Sequence, residues 1–167
     1  MKKILYCLVL AVMLTACGGE TKKTEANKEE TQVEAPKKVE TKQVGDIITI
    51  NDADGIVYEV SADGLHGMAM SVLQAEYPWD RADDWCYEYG SGWRLPNANE
   101  LIAIYANKDI LNSALSAKGY QTINDGWYWT YKETDSTRAV GVEMEGGRDY
   151  SFKIKRDYYS VRAVSAF

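Results

Sequence analysis

The placement of the aromatic residues limits where this chain can build a core. Eighteen of its nineteen Phe, Trp and Tyr residues fall within residues 46–167, Tyr6 being the exception. All five tryptophans, Trp79, Trp85, Trp93, Trp127 and Trp129, are among them. Aromatic side chains bury more apolar surface than any others, roughly 150–250 Å² each. One domain is therefore expected over 46–167, with a tail before it. This apolar content rules out a collagen-like or wholly disordered chain. The net charge of −6 argues against a strongly basic nucleic-acid binder. No apolar run reaches the roughly 18 residues of a membrane-spanning helix, which excludes a polytopic membrane protein.

Residues 1–17 read as a targeting segment. Lys2 and Lys3 precede an uncharged stretch, Ile4 to Ala16, that is too short to span a bilayer as a helix. A basic start, a short apolar core and small residues at its end make a secretory signal. It closes on Leu14-Thr15-Ala16-Cys17, which resembles the bacterial lipobox. That resemblance implies that Cys17 becomes lipidated and anchors the mature protein in a membrane, since more than one acyl chain holds stably. An ordinary signal peptide with a chance cysteine is the alternative. Residues 18–45 hold no aromatic residue, and their six lysines balance six glutamates. Such a stretch buries too little to offset its ordering entropy and is expected to be a disordered tether. A marginal helix is the other reading, against which Pro36 and the lack of an apolar face both count. Flexible, the tether spans about 30 Å; fully stretched, it reaches about 100 Å.

Within the domain, strands are expected at 47–50, 56–60 and 68–73, with a turn over Asn51–Gly55. Pro78 suits the first turn of a helix carrying Trp79, Ala82, Cys86 and Tyr89 at helical spacing, with Gly90 as its stop. Asn97 followed by Glu100 is a capping box for a second helix with Leu101, Ile104 and Tyr105 on its buried stripe. Asp109 is expected to cap a third helix, carrying Leu111, Ala114 and Leu115 and stopped by Gly119. The period then changes from 3.6 to 2. Segments 127–131, 140–144, 150–154 and 161–164 read as strands. Strands, then helices, then an antiparallel set of strands predict an α+β fold.

Several motifs resemble one bacterial family. They are Gly55-Ile56-Val57-Tyr58-Glu59-Val60, Asp63-Gly64-Leu65-His66-Gly67, Trp85-Cys86, and Gly92-Trp93-Arg94-Leu95-Pro96 with Glu100-Leu101. Trp127-Tyr128-Trp129-Thr130, Glu133, Gly147 and the ending Val161-Arg162-Ala163-Val164-Ser165-Ala166-Phe167 agree. This pattern resembles the DUF1566, or Lcl C-terminal-like, domain found on Bacteroidetes lipoproteins. The resemblance covers nearly all of 45–167. It implies a C-type lectin-like fold, related to that of formylglycine-generating enzymes, in which short helices pack on antiparallel strands. Thr130-Tyr131-Lys132-Glu133 departs from the family's usual Ser-Ser-x-Glu.

The motif residues also have a reading of their own. Trp93 and Leu95 suit core anchors, and Pro96 keeps Leu95 extended. Arg94 and Arg162 are expected to hold structure, through a carboxylate or backbone carbonyls, rather than ligand. Trp127 and Trp129 share one face of a strand and Tyr128 the other, one face being core and the other free. Cys86 falls on an apolar helix face and lacks an intrachain partner once Cys17 is lipidated, which suits a buried inert thiol. Formylglycine-generating enzymes use paired cysteines, which this domain lacks. His66, the single histidine, suits a turn. There is no nucleophile elbow, zinc-protease motif or phosphate loop. Asp52-x-Asp54-Gly55 does not fit a calcium-loop register. Neither an enzymatic activity, a metal nor a cofactor is expected.

A recognition module remains, with a structural envelope lipoprotein without discrete ligand as the alternative. Residues 46–110 hold twelve acids and three bases, whereas 111–167 hold seven acids and eight bases. This asymmetry favours the C-terminal half as the binding surface for a glycan or protein ligand, unless the acids serve solubility alone. The lectin-like resemblance implies the same half. The candidate ligand residues are Tyr128, Tyr131, Asp135, Ser136, Arg138, Arg148, Tyr150, Arg156, Asp157 and Tyr158, Tyr and Arg being favoured at binding hot spots. The expected location is the cell envelope, lipid-anchored in the outer membrane.

Overall fold

The computed structural model describes residues 40–146 and 150–167. Residues 1–39, which include the expected signal segment, Cys17 and most of the expected tether, lie outside the described residues, as do Gly147, Arg148 and Asp149. The end of the tether lies against the domain. The Lys42 and Gly45 amides donate to the Gly64 and Val57 carbonyls, and Val44 packs on the core. The domain therefore begins a few residues before position 46.

The fold is α+β. In chain order it comprises β1 (Ile47–Ile50), β2 (Ala53–Val60), β3 (Gly67–Ser71), β4 (Ala75–Tyr77), α1 (Trp79–Tyr89), α2 (Ala98–Ala106), α3 (Lys108–Ala117), β5 (Trp127–Glu133), β6 (Arg138–Glu143), β7 (Tyr150–Ile154), β8 (Tyr159–Val161) and β9 (Val164–Ala166). One sheet runs β1-β2-β3-β9, the other β4-β8-β5-β6-β7. All pairings are antiparallel except β5 with β8.

Local chemistry accounts for most element ends. The predicted five-residue turn at 51–55 contracts to Asn51 and Asp52, both at positive φ (47° and 67°). A two-residue hairpin loop needs that pair, and Asn and Asp tolerate it. Strand β2 thus starts at Ala53, and Gly55 pairs with both Ile48 and Ser71. Pro78 occupies the N-cap of α1 rather than its first turn. Gly90 ends α1 in an extended conformation. Its missing Cβ matters instead for contact: one would lie 2.8 Å from both Ala53 Cβ and Trp93 Cδ1. The capping box of α2 is complete, Glu100 N donating to Asn97 Oδ1 (2.9 Å) and Asn97 N to Glu100 Oε2 (2.7 Å). Asn107, not Asp109, takes the N-cap of α3, and it closes α2 as well.

The expected strand 161–164 is two strands in different sheets. β8 ends at Val161, Arg162 and Ala163 cross over, and β9 begins at Val164. The short β4, which has no strong sequence signal, pairs with β8. Two apolar clusters result. Leu101, Ile104, Leu111 and Leu115 of α2 and α3 meet Ile56, Tyr58, Met70, Tyr128 and Val142. Ala82 and Cys86 of α1 meet Trp93, Leu95, Ala69, Trp129, Val161 and Ala163. Adjacent residues on β3 and β5 enter opposite clusters, so these strands are buried on both faces.

Candidate functional site

The motif arginines hold structure. Arg162 is 1% exposed. Its Nη1 donates to the Ser71 and Val72 carbonyls (2.8 Å each), Nη2 to Gln121 O (2.6 Å) and Nε to Gln74 Oε1 (3.2 Å). Burial pushes the guanidinium down to about 10, against the opposing pull of Tyr128 and Tyr89. It keeps its charge at neutral pH. Arg94 grips Glu100 with both terminal nitrogens (2.9 and 2.6 Å) and the Leu95 carbonyl with one. Its backbone forms an isolated bridge with Val164. The Gly-Trp-Arg-Leu-Pro run is thereby tied to the C-terminal strand, with Trp93, Leu95 and Pro96 buried.

Cys86 is buried and free. Burial pushes its thiol up, which disfavours the reactive thiolate. His66 is exposed before β3, and its carbonyl accepts from Ser61. Among the described residues, no three His, Cys, Asp or Glu side chains group to hold a metal ion.

The structure removes Tyr128 from the ligand-binding set. It lies in the central strand of its sheet and is 1% exposed. Its hydroxyl bonds to Gln74 and Asn124 beneath Arg162's network. The expectation of a free face failed because alternation assigns faces without saying whether a second layer covers each one. Arg148 lies outside the described residues, and so does the side chain of Tyr150.

Most of the other candidates lie on two turns of the five-stranded sheet. The turn between β5 and β6 carries Asp135 and Ser136, with Arg138 opening β6; the turn between β7 and β8 carries Arg156, Asp157 and Tyr158. The Lys155 amide donates to the Thr137 carbonyl (2.9 Å), which joins the two turns. Asp135 is spent on its own turn, accepting from the Thr137 amide and hydroxyl and from the amide and Nε of Arg138. These bonds hold its carboxyl down at about 2. Arg138 and Arg156 remain exposed, and Tyr158 is 67% exposed.

Tyr131 stands on a bulge of β5, the strand that leads into the first of these turns. Between Trp129 and Glu133 the β5–β6 register shifts, and the Tyr131 amide leaves the ladder for the Pro96 carbonyl (3.0 Å). Bulges re-aim side chains, and Tyr131 stands 59% exposed against Trp79, Asp83 and Leu95. Thr130-Tyr131-Lys132-Glu133 falls on this bulge. Beneath it, the largely buried Lys155 ammonium pairs with Glu133 and lies 4.4 Å from the ring centroid of Trp79. Trp79 in turn donates Nε1 to the Thr130 carbonyl (2.8 Å). Two tyrosines and two arginines are thus presented on a braced frame.

One surface feature escaped the sequence reading, an open groove beside Trp85, Tyr89 and Tyr120. Trp85 and Tyr89 four positions apart with Glu88 between them was the available signal. In comparisons with known proteins, no family model matches this chain and no curated protein matches it.

Proposed function

We propose that this chain is a cell-envelope lipoprotein, anchored through Cys17, whose folded domain is a lectin-like recognition module of the DUF1566/Lcl type. The domain would bind a glycan or protein ligand rather than catalyse a reaction. The observation that carries this reading is the exposure of Tyr131, Arg138, Arg156 and Tyr158, taken together as the rim, on β5 and the two joined turns that follow it. Their side chains are exposed while the backbone beneath them is tied to a buried lysine and to α1. Rigid aromatic area beside charge-assisted donors suits ligand capture at low ordering cost. The motif resemblance supports the fold assignment, and the α+β architecture is compatible with it.

The test is a glycan array and a protein-capture screen with the full chain against a Tyr131→Ala/Arg156→Ala/Tyr158→Ala variant. The variant should keep its melting temperature nearly unchanged, since surface substitutions typically shift stability by about 0.5 kcal/mol or less each. It should lose the wild-type ligand. Retention of that ligand would move the site elsewhere, and a wild-type chain that captures nothing would favour the structural-lipoprotein alternative.

A further inference from the structure

A second surface shares no residue with this rim. Trp85, Glu88 and Tyr89 of α1 face Val72 and Leu73, Asp52 with the start of β2 at Ala53 and Asp54, and Tyr120 across an open groove of about 550 Å³. Its aromatic wall is built in advance. The Tyr89 hydroxyl donates to the Asp54 carbonyl. The Tyr89 ring meets Trp93 edge-on with centroids 5.0 Å apart, and the Trp85 ring lies 5.5 Å from it in a tilted arrangement.

Three carboxylates, Asp52, Asp54 and Glu88, line the same groove. Among the described residues none of them forms an ion pair. Asp54 accepts from the Thr49 hydroxyl (2.8 Å), which orients it and leaves its charge uncompensated. The cation behind the groove floor, Arg162, is buried and spent on three carbonyls and an amide oxygen. Carboxylates beside aromatic rings attract organic cations through charge-assisted hydrogen bonds and cation–π contact. They repel anions. Leu73, 53% exposed, adds an apolar contact for an aliphatic stem. The groove is open rather than enclosed, so a side chain carried on a polypeptide can enter with its backbone outside.

We propose that this groove binds an arginine or lysine side chain of a basic polypeptide segment. The probe is acetyl-Gly-Arg-Gly-Arg-Gly-amide, titrated into the full chain by calorimetry and tryptophan fluorescence. Its citrulline counterpart and 1,5-diaminopentane serve as comparisons. The arginine peptide should bind, and more weakly as salt rises. The uncharged citrulline peptide should bind at least roughly tenfold more weakly. Asp52→Asn/Asp54→Asn/Glu88→Gln keeps the turn's shape, since Asn tolerates positive φ, and should lose affinity to a similar degree. Trp85→Ala should do likewise, with circular dichroism reporting that each variant folds. The rim variant should bind the arginine peptide normally, so failure at one surface is separable from failure at the other. Absent binding, equal binding of the citrulline peptide, or undiminished binding by the neutralised triple variant would each overturn the proposal. Diamine binding as tight as the peptide's would assign the groove to small amines instead.

Discussion

Gly55 lies against the edge of the Trp93 ring: a Cβ at position 55 would sit 2.6 Å from Trp93 Cη2 and 3.1 Å from the Cβ of Ala69. Residue 55 and the tryptophan of the Gly-Trp-Arg-Leu-Pro run are thus one packing unit. Trp93→Ala should destabilise the domain by roughly 3–5 kcal/mol. Gly55→Ala should cost about 1–3 kcal/mol by overpacking. Thermal melts check both, and an unchanged melting temperature for either would contradict the contact.

Glu100 has two duties, capping α2 and holding Arg94. Burial alone would raise its carboxyl, but hydrogen bonds from Arg94 and from the Asn97 amide outweigh it and leave the group below 4.5. A carboxylate lowered on folding stabilises the fold above its unfolded value, and that contribution is lost as pH falls through the folded value. Arg94 is half exposed, so solvent screens the pair, and Glu100→Gln should cost only about 1 kcal/mol at neutral pH. The gap between wild type and variant should stay flat above pH 4.5 and close on acidification. Urea melts across that range would expose a gap that widens instead.

Tyr58 is fully buried, and its hydroxyl is the one buried side-chain polar atom without a hydrogen-bond partner among the described residues. Burial and the nearby Glu100 push its ionisation up. Deleting an unsatisfied hydroxyl removes a desolvation cost of about 1–3 kcal/mol. Tyr58→Phe should therefore leave the melting temperature unchanged or raise it. A clear drop would reveal a partner for the hydroxyl.

If Cys17 is the lipid site, Cys17→Ala should leave the protein unprocessed or release it from membranes. Fractionation with immunoblotting reads this directly. Fully processed mutant protein that still pellets with membranes would refute the anchor.

The legibility of the chain followed the range of the interactions involved. Helix α2 was readable because its signals are local: Asn97, Glu100, Leu101 and Ile104 sit within eight positions and act on one another. The hairpin at Asn51-Asp52 was readable as a turn but not in its length, which depends on β2 continuing back to Ala53 to pair with Ile50. Tyr128 was misread because its burial depends on Arg162 and Gln74, residues 34 and 54 positions away. The same long range hid the break between Val161 and Val164. Valines bracketing Arg162-Ala163 look like one strand unless the guanidinium is known to need carbonyls from Ser71 and Val72. The rim was legible as a group, since its turns follow one another along the chain. The groove was not, because Asp52, Trp85 and Tyr120 come from three separate segments.

The passage of the chain from one sheet to the other at Arg162-Ala163 also bears on the order of folding. Strand β9 pairs with β3 through Met68 and Ala166, nearly a hundred positions apart, and β8 is the strip between β4 and β5. Without residues 159–166, the first sheet lacks its edge strand β9 and the second loses the strand that links β4 to β5. Assembly must wait until residue 166 has emerged from the ribosome, or from whatever pore delivers the chain. Partners so distant in sequence also make closure slow. Until then the segments that become the core stay open to chaperones and proteases, so removing residues 159–166 should undo the domain as a whole rather than fray one edge.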